Sequence, residues 1–180
     1  WIQGSYKFGT QIKPINIHEE YDVDVGAYFC WADSGEVATP AAKQLKDWVQ
    51  LAVAEYLDDC EHAKSVVVPP KERCSRLHFK KQFHIDVPAY HLDEDFDRRK
   101  LATETKGWED SDPKAIYAWF KEKVENPERD QLRRLIRYLK AWAAVTFGPN
   151  SNARPSSLLL TVLATESFVS QAVAERSVDD

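Results

Sequence analysis

No stretch of these 180 residues approaches the roughly 20 unbroken apolar side chains that a membrane-spanning helix needs, so no membrane partner is expected. Cysteine is scarce as well. Cys30, Cys60 and Cys74 are odd in number and form no Cys-x-x-Cys pair, which argues against a disulfide framework and a structural zinc site, and for a reducing, cytoplasmic setting. Excess positive charge is missing too: the net charge of -5 disfavours strong, nonspecific binding to nucleic acid. There is no initiator methionine and no signal-peptide pattern, because Trp1 opens directly onto motif-like sequence; the chain reads as an excerpt with terminal elements still to come. Walker-type phosphate loops, nucleophilic Ser-His-Asp motifs, repeats and low-complexity tracts are also absent.

What is present suits one domain or slightly more. Residues 3–8 predict a turn and a short helical start, and acidic and apolar residues alternate from Tyr21 to Phe29 as in a strand with two unlike faces. Thr39-Pro40 opens a long helix whose stripe is Leu45, Trp48, Val49, Ala52, Val53, Tyr56 and Leu57. Short strands are expected at Val66–Val68 and Arg76–Phe79, with another from Gln82 to Tyr90 that ends near Pro88. Residues 93–112 are polar and poorly periodic and predict a mobile surface loop of the lid kind. Asp112-Pro113 starts a helix with Ile116, Trp119, Phe120 and Val124 inward; Leu132, Leu135, Ile136, Leu139, Trp142 and Ala143 mark another, and a last one runs from Pro155-Ser156-Ser157 to Val169. The tryptophans on these stripes read as core, and Trp108 as a loop residue. Strands first and helices after predict an α+β fold, a mixed sheet with flanking helices and a helical second lobe, divided at 1–106 and 107–180 with a cleft between.

The chemistry concentrates on carboxylates. Asp22 and Asp24 stand two apart on a predicted strand and so share a face. Such a pair is either a solvated face or a magnesium site, since crowded like charges must shift their pKa or be neutralised by a cation. Asp86 lies on a second predicted strand, sharing a face with His84; if the two strands are neighbours, three aspartates converge. Gly4-Ser5, followed by Gly9-Thr10, is either plain turn chemistry or a place where backbone can approach a phosphate. Basic runs at Lys80-Lys81 and at Arg133, Arg134, Arg137 and Lys140 offer local grip on a triphosphate. His84 and His91 lack zinc-pair spacing, and His84 reads as a structural hydrogen-bonder.

Taken together, Gln3-Gly4-Ser5-Tyr6-Lys7-Phe8-Gly9-Thr10, Tyr21-Asp22-Val23-Asp24 and Phe83-His84-Ile85-Asp86-Val87-Pro88 resemble the nucleotidyltransferase superfamily of DNA polymerase β type. Trp108-Glu109-Asp110-Ser111-Asp112-Pro113-Lys114 and Pro155-Ser156-Ser157 are similar to the bacterial cGAS/DncV-like branch, the CD-NTases. The resemblance implies a polymerase-β-like fold and an enzyme that makes a cyclic di- or oligonucleotide second messenger from ATP and GTP. Asp22, Asp24 and Asp86 would hold Mg2+, with Mn2+ as substitute, and Gln3, Gly4 and Ser5 would meet the donor triphosphate. Lys140, Ser156 and Ser157 are further nucleotide-binding candidates; for Lys140 the other reading is a solvated helix charge, and for the serines a helix cap. Arg76 reads as an exposed strand arginine or a contact to an acceptor base. The resemblance also implies a product-activated effector in antiphage defence (CBASS). A non-cyclising nucleotidyltransferase and an inactive nucleotide sensor remain the alternatives.

Overall fold

Alternating polarity decides the strands of this computed structural model, which describes residues 1–15, 19–31, 39–80, 82–124, 127–148 and 151–169. Lys81 of the Lys80-Lys81 run lies outside them. The elements are β1 (Ile2–Gln3), α1 (Gly4–Phe8), β2 (Tyr21–Val25), β3 (Ala27–Cys30), α2 (Ala42–Asp59), β4 (Ala63–Val66), β5 (Ser75–Phe79), β6 (Phe83–Val87), β7 (Ala89–Asp93), β8 (Arg98–Ala102), β9 (Trp108–Asp110), α3 (Pro113–Lys123), α4 (Glu128–Phe147) and α5 (Ser157–Ser167). The fold is α+β, as the pattern predicts. Two compact units emerge, Trp1–Lys7 with Glu20–Ala115, and Phe8–Glu19 with Ile116–Asp180.

The first unit holds two sheets, ordered β1-β2-β6-β5-β4 and β3-β7-β8-β9. The predicted strand over 21–29 breaks at Gly26 and passes from one sheet to the other. A Cβ there would fall 2.8 Å from Gln3 Oε1 and 2.9 Å from the Tyr28 ring, so the crossing point admits only glycine without rearrangement. The strand expected over 82–90 breaks likewise at Pro88 into β6 and β7. The two chains nevertheless stay paired in parallel across both breaks, because Ala27 N–H donates to Pro88 O at 2.9 Å.

Helix α2 lays Leu45, Val49 and Val53 over both sheets, against Ala89 and Ala102 on one side and Leu77 and Phe79 on the other. Its Trp48 and Tyr56 are about half exposed, so the inward stripe is narrower than the sequence spacing predicts. The first valine strand is shifted to Ala63–Val66.

The predicted lid over 93–112 is instead an antiparallel meander, β7-β8-β9. Periodicity misses it because its charges are spent on ion pairs. Arg99 reaches Asp97 and Asp112 at 2.6 Å each, Arg98 reaches Asp93 at 2.9 Å, and Gly107 at φ +78° closes the hairpin with its carbonyl accepting from Thr103. Trp108 thus sits on a strand, edge-on to Trp31.

The second unit is helical. Asp112 Oδ1 accepts from Ala115 N–H at 2.9 Å and Pro113 occupies the first turn of α3, as expected. Phe120, Leu132 and Ile136 are fully buried and pack with Phe8, Val124 and Ala164. Ile116, Leu135 and Trp142 are exposed, Trp142 by 53%, contrary to the predicted stripes. All three cysteines are free thiols, and no helix among the described residues is long and apolar enough to cross a membrane.

Truncating Phe120 to alanine leaves a void among residues of four helices and is expected to cost about 3–5 kcal/mol, read as a lower urea midpoint.

Candidate active site

The central strands of the first sheet are two-faced. Val23, Ile85, Leu77 and their neighbours turn toward α2, while the other face receives Asp22 and Asp24 from β2, His84 and Asp86 from β6, and Arg76 and His78 from β5. Register brings them together: Asp24 stands directly opposite Asp86 and Asp22 opposite His84, across a strand spacing of about 4.8 Å. Ligand atoms of Asp22, His84 and Asp86 lie within 4.8 Å of one another. The expected convergence of aspartates from two strands is present.

Each carboxylate meets the crowding differently. Asp24 is partly buried, and desolvation together with the neighbouring charges of Asp22 and Asp86 pushes its pKa up to about 6. Burial also opposes ionisation of Asp86, yet two charge-assisted bonds from Arg76 prevail and hold it below the usual carboxylate range. Those bonds run from Nε to Oδ1 at 2.5 Å and from Nη2 to Oδ2 at 2.6 Å. Arg76 is therefore no exposed strand arginine; its side chain is 17% exposed and committed to Asp86. His84 Nε2 lies 3.0 Å from Asp22 Oδ1 and its Nδ1 2.9 Å from Glu20 Oε2. Burial disfavours the charged imidazole, but acceptors at both nitrogens raise its pKa overall.

Gly4 opens α1 against this cluster. Its φ is +65°, and a Cβ would fall 1.9 Å from Asp24 Oδ2, so only glycine lets the Asp24 carboxylate rest against this backbone. Gln3 beside it is buried, and its Nε2 donates to Tyr90 OH at 3.1 Å. Ser5 follows within α1. The remaining candidates lie in the helical unit. Lys140 is buried on α4, its Nζ donating to Thr10 O and Oγ1 at 3.2 and 3.1 Å, and burial lowers its pKa to about 8. Ser156 is the N-cap of α5, accepting from Leu159 N–H at 3.1 Å, and Ser157 is the first helical residue.

His78 and Glu20 are site residues that the sequence reading does not single out, while it reads Arg76 as an exposed strand arginine or a base contact and His84 as structural. The alternation of Arg76 and His78 with Leu77 and Phe79 carried the signal, since the β5–β6 hairpin puts 78 opposite 84 and 76 opposite 86.

Residues 1–90 match the profile of the family described as cyclic GMP-AMP synthase DncV-like, nucleotidyltransferase domain. The chain is similar to a cyclic GMP-AMP synthase of Escherichia albertii, with 34% identity over 92% of this chain and 36% of that protein. It is also similar to a c-di-GMP synthase of Roseivirga ehrenbergii, with 25% identity over 94% of this chain and 49% of that one. The chain thus spans between about a third and a half of these relatives. The crystal structure of Vibrio cholerae DncV in its GTP-bound form superposes with a TM-score of 0.75 and 26% identity, covering 96% of this chain and 46% of that one, which identifies the polymerase-β-like nucleotidyltransferase fold.

Because the folded-state pKa of Asp24 lies above its ordinary 3.8, the group contributes stability that is full below about pH 4 and lost as pH rises through about 6. In EDTA, Asp24→Asn is expected to remove this dependence and raise stability at pH 8 by on the order of 1–3 kcal/mol, with little gain at pH 4, read from urea midpoints.

Proposed function

The chain belongs to the family of cyclic GMP-AMP synthase DncV-like nucleotidyltransferase domains, and from that membership we propose that it is a divalent-metal-dependent enzyme making a cyclic di- or oligonucleotide from ATP and GTP. The observation that carries the reading is the direct opposition of Asp24 and Asp86 with Asp22 on the same face.

The residues fit a pair of magnesium ions. Asp22, Asp24 and Asp86 are all-oxygen, hard donors, and a dication would offset both the burial and the neighbouring negative charges that push the Asp24 pKa up. Arg76 does not preclude this, since an ionised carboxylate has about four lone-pair sites and the arginine engages one on each oxygen. When bound, the metal would supply acidity to a ribose hydroxyl and neutralise charge on the triphosphate.

The chain's own contribution is positioning. Gly4 and Ser5 offer backbone and a hydroxyl to the donor triphosphate beside Asp24, and Gln3, seated on Tyr90, fixes where that turn begins. The family resemblance supports Lys140, Ser156 and Ser157 as further nucleotide-binding candidates; the Ser156 oxygen caps α5, and a hydroxyl that accepts in a cap can still donate its proton. Residues 1–106 form the catalytic core in this reading and 107–180 the helical lobe. A ribose hydroxyl attacks an α-phosphate and pyrophosphate leaves, and a second such attack closes the ring with release of a second pyrophosphate, with no covalent enzyme intermediate. The product then activates an effector in antiphage defence in the cytoplasm; the family resemblance supports that role.

Incubating the full-length protein with ATP, GTP and Mg2+ or Mn2+ is expected to release pyrophosphate and give a phosphatase-resistant cyclic product by mass analysis. Asp22→Ala, Asp24→Ala and Asp86→Ala should each lower the rate by roughly 10²–10³-fold, the loss of several kcal/mol of charge stabilisation. Undiminished release in all three would overturn the assignment, and a linear product alone would overturn cyclisation.

A further inference from the structure

The charged face of the first sheet carries a second convergence of ligand atoms that the aspartate chemistry does not use. Glu20 Oε2 lies 2.6 Å from His78 Nδ1 and 2.9 Å from His84 Nδ1, and one ligand atom from each of the three residues falls within 4.8 Å of the other two. We propose that Glu20, His78 and His84 form a binding site for a transition-metal dication of the zinc class, distinct from the all-carboxylate site beside it.

The backbone prearranges these ligands. His78 and His84 are cross-strand partners in the β5–β6 hairpin, so their imidazoles rise from one face at neighbouring positions. Glu20 immediately precedes β2, and Tyr21 N–H ties that point to Gln82 O at 2.9 Å, next to His84. Three ligands therefore come from three segments already bonded into one sheet, and binding need not organise a loop. Glu20 and His78 side chains are 24% and 27% exposed and His84 is 8% exposed, which leaves an approach from solvent on one side and a buried anchor on the other.

Ligand chemistry separates the two sites. Two imidazole nitrogens and one carboxylate suit zinc and its first-row neighbours, whereas magnesium prefers oxygen alone. With Nδ1 given to a metal, His84 keeps a hydrogen on Nε2, a buried nitrogen that makes no hydrogen bond among the described residues and lies 3.0 Å from Asp22 Oδ1. A turn of the ring would aim that N–H at the carboxylate, the usual support of a metal-bound histidine. The surrounding charge agrees, because Asp22, Asp24 and Asp86 share the face with Arg76, so that among the strand residues described there the acidic groups outnumber the arginine. A zinc-class ion held here lies one imidazole away from Asp22 and would fix the orientation of that carboxylate. Only this coupling rests on the nucleotidyltransferase reading; the site itself does not.

His84 also groups with Asp22 and Asp86, so the test must tell the two placements apart. Zn2+ is titrated calorimetrically into the full-length protein in excess Mg2+, and Co2+ is substituted to read its visible d–d absorption. The expected result is one tight equivalent with an imidazole-ligated cobalt band. His78→Ala and Glu20→Gln should each weaken zinc binding by roughly 100-fold, while Asp86→Asn changes it by a few-fold at most. Near-UV circular dichroism of each variant without zinc separates a lost ligand from a lost fold, and either variant that folds suffices. The proposal is overturned if zinc does not bind the wild type, if affinity is indifferent to His78 and Glu20, or if it disappears with Asp86. Pyrophosphate release in Mg2+ alone reports the catalytic reading separately, so either can fail without the other.

Discussion

Three aspartates and a glutamate on one face of a sheet repel each other, and the arrangement persists because the sheet brings its own basic groups. Arg76 neutralises Asp86 through two parallel bonds, and His84 stands between Asp22 and Glu20. Asp24 answers the crowding differently: burial first, and then the charges of Asp22 and Asp86, push its pKa up to about 6. The opposite face explains why the sheet tolerates this load: Leu77, Phe79, Phe83 and Ile85 are packed with Val53 and Leu57 of α2, so hydrophobic burial anchors the strands while the charged face stays available for chemistry.

The same two-faced construction explains what the sequence disclosed. A period of two is visible in Asp22-Val23-Asp24 and in His84-Ile85-Asp86, and it identifies a shared face without any knowledge of partners. Pairing is another matter. That Asp24 meets Asp86, and that Arg76 and His78 join them, depends on strand order, which is a property of distant segments; only the hairpin offset between 78 and 84 is open to inspection, and the sequence reading considers His84 together with His91 instead. The meander over 93–112 was hidden for a different reason, because Arg98, Arg99 and Lys100 give a strand no apolar face to detect and are accommodated by Asp93, Asp97 and Asp112. The helix starts were legible because caps act locally, as at Asp112 and Ser156.

Gly4 and Gly26 are the two places where the backbone itself is constrained by the site. One lets an acidic side chain press against the start of α1, and the other lets a strand leave its sheet immediately after the aspartates, beside the Gln3 amide. The result is that β1, α1 and the end of β2 are fixed to one another by contact rather than by length, and a short stretch of chain positions both the turn and the carboxylates.

Parallel pairing has a consequence for how the protein is born. β2 and β6 share a constant offset of 62 positions that continues into β3 and β7, so on a ribosome the acidic strand emerges long before its companion exists. A hydrophobic edge waiting that long would invite other chains; the negative charge of Asp22 and Asp24 on the strand discourages them. High contact order makes this junction slow to close, and the charges that equip the strand for chemistry also guard it during the delay.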